Sequence, residues 1–213
     1  DEKERLLQAV KDAAEFPSSN VESVHGSADI PDSFEECIES GGYQFPTYRT
    51  ADLEKAKAAA GADYQLYVRK VLEKEAPLSE ELFLKRSIRD FSREKLTDAV
   101  WDKFNRLMSR CQVEGIVRSN GFMFIKNRDV EFRVPSEDFV RELKFISLEE
   151  LGVGMSEIIR KNVSVERMGL YKLLATLLGF SKLGEAMVRR FDEALQLIKD
   201  VIDVDGEMLS IKG

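Results

Sequence analysis

The sequence predicts a mainly α-helical fold with small β-hairpins, arranged as two tandem winged-helix (helix-turn-helix) units. Three observations predict it. The order helix, helix, helix, hairpin can be read twice along the chain of 213 residues. The third helix of each reading carries apolar residues at matched places: Val100, Trp101, Phe104, Leu107, Met108 and Cys111, then, 87 positions later, Met187, Val188, Phe191, Ala194, Leu195 and Ile198. A turn signal follows each of these helices, Asn120-Gly121 in the first and Asp205-Gly206 in the second.

Each element has its own local reason. Residues 2–15 read as a helix with Leu6, Leu7 and Val10 on one stripe, stopped by Pro17-Ser18-Ser19-Asn20. Residues 17–50 hold Pro, Gly, Ser and many acids, the composition of a linker, with one short helix expected at Phe34–Glu39 before Gly41-Gly42. Tyr43, Phe45 and Tyr48 are too aromatic for a free tether and are expected to lie against the domain that follows. Three regions result: an N-terminal helix and acidic linker (1–60), a first winged-helix-like unit (61–134) and a second (135–213).

In the first unit, Tyr64, Tyr67, Val68, Val71 and Leu72 fall at helical spacing, and Pro77 ends that helix. Ser79 reads as the N-cap of the next, with Glu80 and Glu81 in its first turn. Leu84, Ile88 and Phe91 give its apolar stripe, and a third helix runs from about Thr97 to Arg110. Gly115 to Ile125 reads as two strands around Asn120-Gly121, a pair suited to a type I′ turn because both central residues need positive φ. The connector Arg133–Glu150 carries two helix-start signals, Pro135-Ser136-Glu137-Asp138 and Ser147-Leu148-Glu149-Glu150. Met155, Ile158 and Ile159 belong to the second unit's first helix. Met168 to Leu178 form its middle helix, closed by Gly179.

Composition narrows the function. No apolar run approaches the roughly 18 residues a membrane helix needs. The two cysteines, Cys37 and Cys111, cannot make a disulfide framework and fit a reduced cytosol, so a cytoplasmic chain is expected. The chain begins at Asp1 without a methionine and is read as a piece of something longer. The formal net charge of −7 lies wholly within residues 1–76, whereas 77–133 carries about +3 and 134–213 about −3. Overall acidity argues against a strong nonspecific nucleic-acid binder, which shows a basic field, but it permits a local basic stripe.

Little here looks catalytic. There is no phosphate-cradling G-x-x-x-x-G-K-[ST] loop and no G-x-S-x-G elbow. Gly152-Val153-Gly154 is too short for a dinucleotide fingerprint. Asp203, Asp205 and Glu207 lack the twelve-residue calcium pattern and read as an acidic hairpin tip. Asp32, Glu35 and Glu36 sit in a solvated acidic stretch, the lone histidine His25 in the linker, and Cys111 and Trp101 at core positions. No catalytic residue, metal or cofactor is expected.

Basic side chains on the helix-hairpin units remain. In a helix-turn-helix the last helix enters the major groove and its outward residues reach phosphates or bases. The candidates are Lys95, Lys103, Arg106 and Arg110 on the first unit, with Arg118, Lys126 and Arg128 on or after the hairpin, and Lys182, Arg189 and Arg190 on the second. Lys85, Arg86 and Arg89 decorate the first unit's middle helix. The competing reading is a solvated face in which these cations pair with Asp98, Asp102, Glu185 or Asp192.

Two stretches resemble a known family. Ala76-Pro77-Leu78-Ser79-Glu80-Glu81-Leu82 with Lys85-Arg86 resembles the start of a C-terminal domain of unknown function in very large bacterial superfamily-1 helicase-like proteins. Leu177-Leu178-Gly179-Phe180-Ser181-Lys182-Leu183-Gly184 resembles a second motif of that domain, ahead of its final helix and hairpin. Residues 1–15 are similar to the helix closing the very-short-patch-repair-type endonuclease domain that precedes it. The chain has Ala76 where that pattern has glycine and Ser79 where it has histidine, and 92–95 lacks the pattern's glycine. The resemblance implies a non-catalytic C-terminal accessory of a helicase and nuclease protein. Its expected partners are the parent's own helicase and nuclease domains, and DNA held weakly and in a salt-dependent way. A protein-interaction or self-association platform is the alternative.

Overall fold

The computed structural model describes residues 42–91, 96–110, 115–137 and 139–212. The helix expected at 2–15, the linker helix at 34–39, and His25, Cys37, Lys95 and Cys111 lie outside them. The described residues form seven α-helices and two three-stranded antiparallel sheets, and none of these helices is long and apolar enough to cross a membrane. Two compact units result. One is Arg49–Arg128 with Lys144–Ser147. The other combines residues 42–48, Asp129–Leu143 and residues 148–212. Residues 49–60 thus go with the first unit and 129–134 with the second.

The first unit opens with α1 (Leu53–Ala60), started by Asp52, whose carboxylate accepts from the Lys55 amide at 3.0 Å. Asp63 caps α2 (Tyr64–Glu75) by accepting from the amides of Gln65 and Leu66 at 2.9 and 3.1 Å. Tyr67, Val68, Val71 and Leu72 are buried, as their spacing predicts. Beyond Pro77 the chain makes a two-residue strand, β1 (Leu78–Ser79), that pairs with β3 through Leu78 with Met123 and Ser79 with Phe122. The sequence reading has no strand here, because two residues cannot show a period of two. An open edge on β3 is what makes the segment a strand.

Helix α3 (Glu80–Phe91) follows, with the Ser79 hydroxyl accepting from the Leu82 amide at 3.4 Å. Helix α4 (Asp98–Arg110) buries Phe104 and Met108. The hairpin β2 (Ile116–Ser119) and β3 (Phe122–Ile125) turns through Asn120 (φ 50°) and Gly121 (φ 77°), so both central residues take the left-handed backbone of a type I′ turn. The sheet order is β1-β3-β2.

The second unit begins with a strap. The Tyr48 amide donates to the Val134 carbonyl at 2.7 Å and the Val134 amide to that of Pro46 at 3.0 Å. Phe45 meets Phe132 edge-on at 4.8 Å, and Tyr43 and Tyr48 are buried. These aromatics therefore serve this unit, not the one that follows them in the chain. No helix starts at Pro135: Ser136 and Phe139 exchange backbone hydrogen bonds at 3.3 Å across a tight turn.

Helix α5 (Leu148–Asn162) starts after Ser147, as read, and buries Leu151, Val153, Met155, Ile158 and Ile159. Strand β4 (Ser164–Glu166), helix α6 (Arg167–Leu177), helix α7 (Glu185–Leu197) and the hairpin β5 (Ile202–Asp205) and β6 (Met208–Ile211) complete it, with sheet order β4-β6-β5. Helix, strand, two helices and hairpin thus occur twice with the same sheet topology. Helix α7 lies 87 residues after α4, but β5 and β6 lie 86 after β2 and β3. The second turn also differs from its reading. Asp205 pairs with Met208, so the central residues are Gly206 and Glu207, and only Gly206 has positive φ, at 61°. Glycine at the first central position is the type II′ arrangement, so the aspartate stays in the strand.

Candidate nucleic-acid interface

The face of α4 away from Phe104 and Met108 exposes Asp102, Lys103, Asn105, Arg106 and Ser109. A shallow open depression on the unit's surface is lined by Asp102, Asn105, Arg106, Ser109 and, from β2, Arg118. Arg118 ties this lining to the neighbouring elements. Its Nε donates to Glu80 Oε1 at 2.5 Å and its Nη2 to Glu80 Oε2 at 2.9 Å, a two-pronged pair with the first residue of α3. Nη2 also donates to Asn105 Oδ1 at 2.8 Å, and the guanidinium lies 5.0 Å from the centre of the Phe104 ring. The bonds to Glu80 raise the Arg118 pKa. This cation is neutralised in place and acts as a tie between hairpin, α3 and α4, whereas the sequence offered it to phosphate.

The other predicted residues separate into groups. Lys103 and Arg106 stay exposed on α4 and make no ion pair among the described residues. The Arg106 Nε is turned back to the Asp102 carbonyl at 3.2 Å, and its two terminal nitrogens have no hydrogen-bond partner among the described residues. Arg110 ends α4. Lys126 follows β3 at the base of the hairpin, where its amide donates to the Gly115 carbonyl at 2.7 Å. Lys182 and Arg189 are exposed in the second unit, before and on α7. Arg190 is half-buried, and burial pulls its pKa down against the opposing charges of Glu193 and Glu149.

Lys85, Arg86 and Arg128 are taken by structural work. Glu81 receives Lys85 at 2.7 Å and Lys144 at 2.9 Å, and the Lys85 bond followed by the Lys144 bond holds its carboxyl below the usual range. Arg86 pairs with Glu75, which is fully buried, and donates to the Ala51 carbonyl at 2.9 Å. Arg128 donates to the Glu73 carbonyl at 2.7 Å, satisfying the end of α2.

In the second unit the same place is built with different residues. Arg167, first residue of α6, donates to Asp192 Oδ1 at 2.5 Å, and the Tyr171 hydroxyl donates to the same oxygen at 2.5 Å. Asp192 lies 87 positions after Asn105. The sequence reading offered Asp192 to the cations of α7, but Arg167 from the neighbouring helix takes it.

Sequence reasoning missed Asn105, Ser109 and Glu80. The first two were findable, since Asp102, Asn105, Arg106 and Ser109 share one helical face at spacings of three and four. Glu80 was not, because its partner lies 38 residues away. Among the described residues no group of three or more His, Cys, Asp or Glu could hold a metal ion. No protein-family model, curated protein or solved structure matches the chain.

Proposed function

We propose that the chain is a non-catalytic accessory module of two winged-helix units that positions nucleic acid through phosphate contacts. The observation that carries this reading is the pair Lys103 and Arg106, exposed on the outer face of α4 beside the hairpin and without an ion pair among the described residues. Arg and Lys suit phosphate because they bring charge and donors at the end of a long reach. The twice-used order of helix, strand, two helices and hairpin supports the winged-helix reading. Lys182 and Arg189 offer a similar, smaller set on the second unit. The resemblance around Ala76–Leu82 and Leu177–Gly184 supports a place at the C-terminus of a helicase-like parent, with that parent's helicase and nuclease domains as neighbours.

Fluorescence anisotropy with labelled duplex and single-stranded DNA at about 50 and 200 mM salt tests the reading. Binding that weakens with salt, and weakens further in Lys103→Ala/Arg106→Ala, is the expected result. An absence of binding at the lower salt rejects it.

A second reading, a protein-interaction or self-association platform, is favoured by the neutralisation of Arg118 by Glu80 and by the exposed Met168, Val204 and Met208 of the second unit. Sedimentation velocity separates the two, since a monodisperse monomer at high concentration counts against self-association.

A further inference from the structure

We infer that Asn105 is an oxyanion-binding residue whose amide is held donor-outward by Arg118, so that the depression on α4 receives a nucleic-acid phosphate between Asn105 and Arg106. This rests on the nucleic-acid reading and adds to it a neutral residue that charge counting cannot find.

Valence fixes which way the amide faces. A guanidinium carries donors only, so the Asn105 atom facing Arg118 Nη2 at 2.8 Å has to be the oxygen. The amide nitrogen then points the other way. Asn105 is exposed, and its nitrogen has no partner among the described residues. Arg118 cannot turn aside to release the amide, because Glu80 grips it at two points and Phe104 lies against its guanidinium. Beside it, Arg106 lines the same depression and is exposed; its Nε is tethered to the Asp102 carbonyl, and its remaining donors have no partner among the described residues.

The chemistry of the opening follows. The Ser109 hydroxyl spends its only proton on the Arg106 carbonyl at 3.2 Å, so it donates nothing to a ligand. The donors offered are those of Asn105 and Arg106, a set that suits the oxygens of a phosphodiester. It suits the adenine edge poorly, because reading adenine requires an amide oxygen as well as a nitrogen, and here the oxygen is occupied. Asp102 lines the same depression and opposes an anion, so the site is weaker than its donors alone would make it.

The test compares wild type, Asn105→Ala, Asp102→Asn and Lys103→Ala in the same duplex titration across salt. Asn105→Ala is expected to weaken binding roughly tenfold, the loss typical of a hydrogen bond to a charged group. It should leave the slope of log affinity against log salt unchanged, because a neutral donor displaces no counterion. Lys103→Ala should lower that slope by about one, and Asp102→Asn should tighten binding. If wild type binds DNA and Asn105→Ala binds equally well, the inference falls while the nucleic-acid reading stands. If wild type binds no DNA, that reading falls, and titration with inorganic phosphate decides the site: selective movement of the Asn105 side-chain amide resonances supports it as a site for a small oxyanion, and no movement overturns it.

Discussion

Glu80 and Arg167 hold the same position in two like-built units, each the first residue of the helix after the first strand, and they carry opposite charge. Glu80 sits well there, since a carboxylate at a helix N-terminus is favoured by the dipole. Arg167 does not, and it is compensated by Asp192 on the next helix. The two sites also differ in burial. The Glu80 side chain is 8% exposed and that of Arg118 34%, whereas Arg167 and Asp192 are 40% and 36% exposed.

That difference predicts unequal costs. Arg118→Ala strands a buried carboxylate and should destabilise the first unit by about 2–3 kcal/mol, short of the full cost for a wholly buried pair because Arg118 is partly solvated. Arg167→Ala should cost under about 1 kcal/mol, as exposed pairs do. Urea unfolding of both variants checks the order, and equal losses would contradict it.

Glu150 is fully buried and holds the connector. It accepts from Arg133 at 3.1 Å (backbone amide), 3.1 Å (Nε) and 2.8 Å (Nη2), and from Arg141 at 2.9 and 2.6 Å. Burial pushes its carboxyl up, but the charges and hydrogen bonds of Arg133 and Arg141 outweigh that and hold it below the usual range. The folded state therefore binds this proton more weakly than the unfolded chain does. Its stabilisation is complete above the ordinary glutamate pKa of about 4.3 and is lost as pH falls through the lower folded value. Glu150→Gln should cost about 3–5 kcal/mol near neutrality and flatten the acid limb of a stability–pH curve. An unchanged acid limb would refute this role.

Gly154 lies inside α5 where Phe132 crosses. A Cβ there would meet Phe132 Cδ2 at 2.5 Å, with the ring itself buried at 2% exposure. Alanine normally improves a helix by up to about 1 kcal/mol over glycine. Here Gly154→Ala should instead destabilise by about 1–3 kcal/mol through overpacking. Gly154→Ala/Phe132→Leu should recover part of the loss, which thermal unfolding of the single and double variants reads directly.

Tyr171 is buried, and burial first, then its bond to Asp192, pushes its phenol up to about 12. The folded state holds this proton more tightly than the unfolded chain. The contribution to stability is therefore full below the ordinary tyrosine value of about 10 and declines as pH rises from there through about 12. Alkaline titration of phenolate absorbance should show a late component near pH 12, and Tyr171→Phe should lower its amplitude by the share of one tyrosine. An undiminished late component in Tyr171→Phe would reject the assignment.

Much of the helical frame was legible locally. The stripe Tyr67, Val68, Val71 and Leu72 marked α2, the stop at Pro77 marked its end, and Asn120-Gly121 marked the first turn. Each of these rests on neighbours within a few residues, where periodicity and backbone sterics act. The strands β1 and β4, the strap at 43–48 and the shift of the second turn to Gly206-Glu207 came only with tertiary structure, because each depends on an edge or groove supplied by distant chain. The cationic face shows the same division. Composition and helical spacing placed Lys103 and Arg106 outward, but whether a cation faces water or an acid depends on which carboxylate folding brings beside it. Glu80 reaches Arg118 across 38 residues, and Glu150 reaches Arg133 and Arg141 from another element. Coulomb and hydrogen-bond partners are chosen by distance in space, and a linear sequence does not carry that distance.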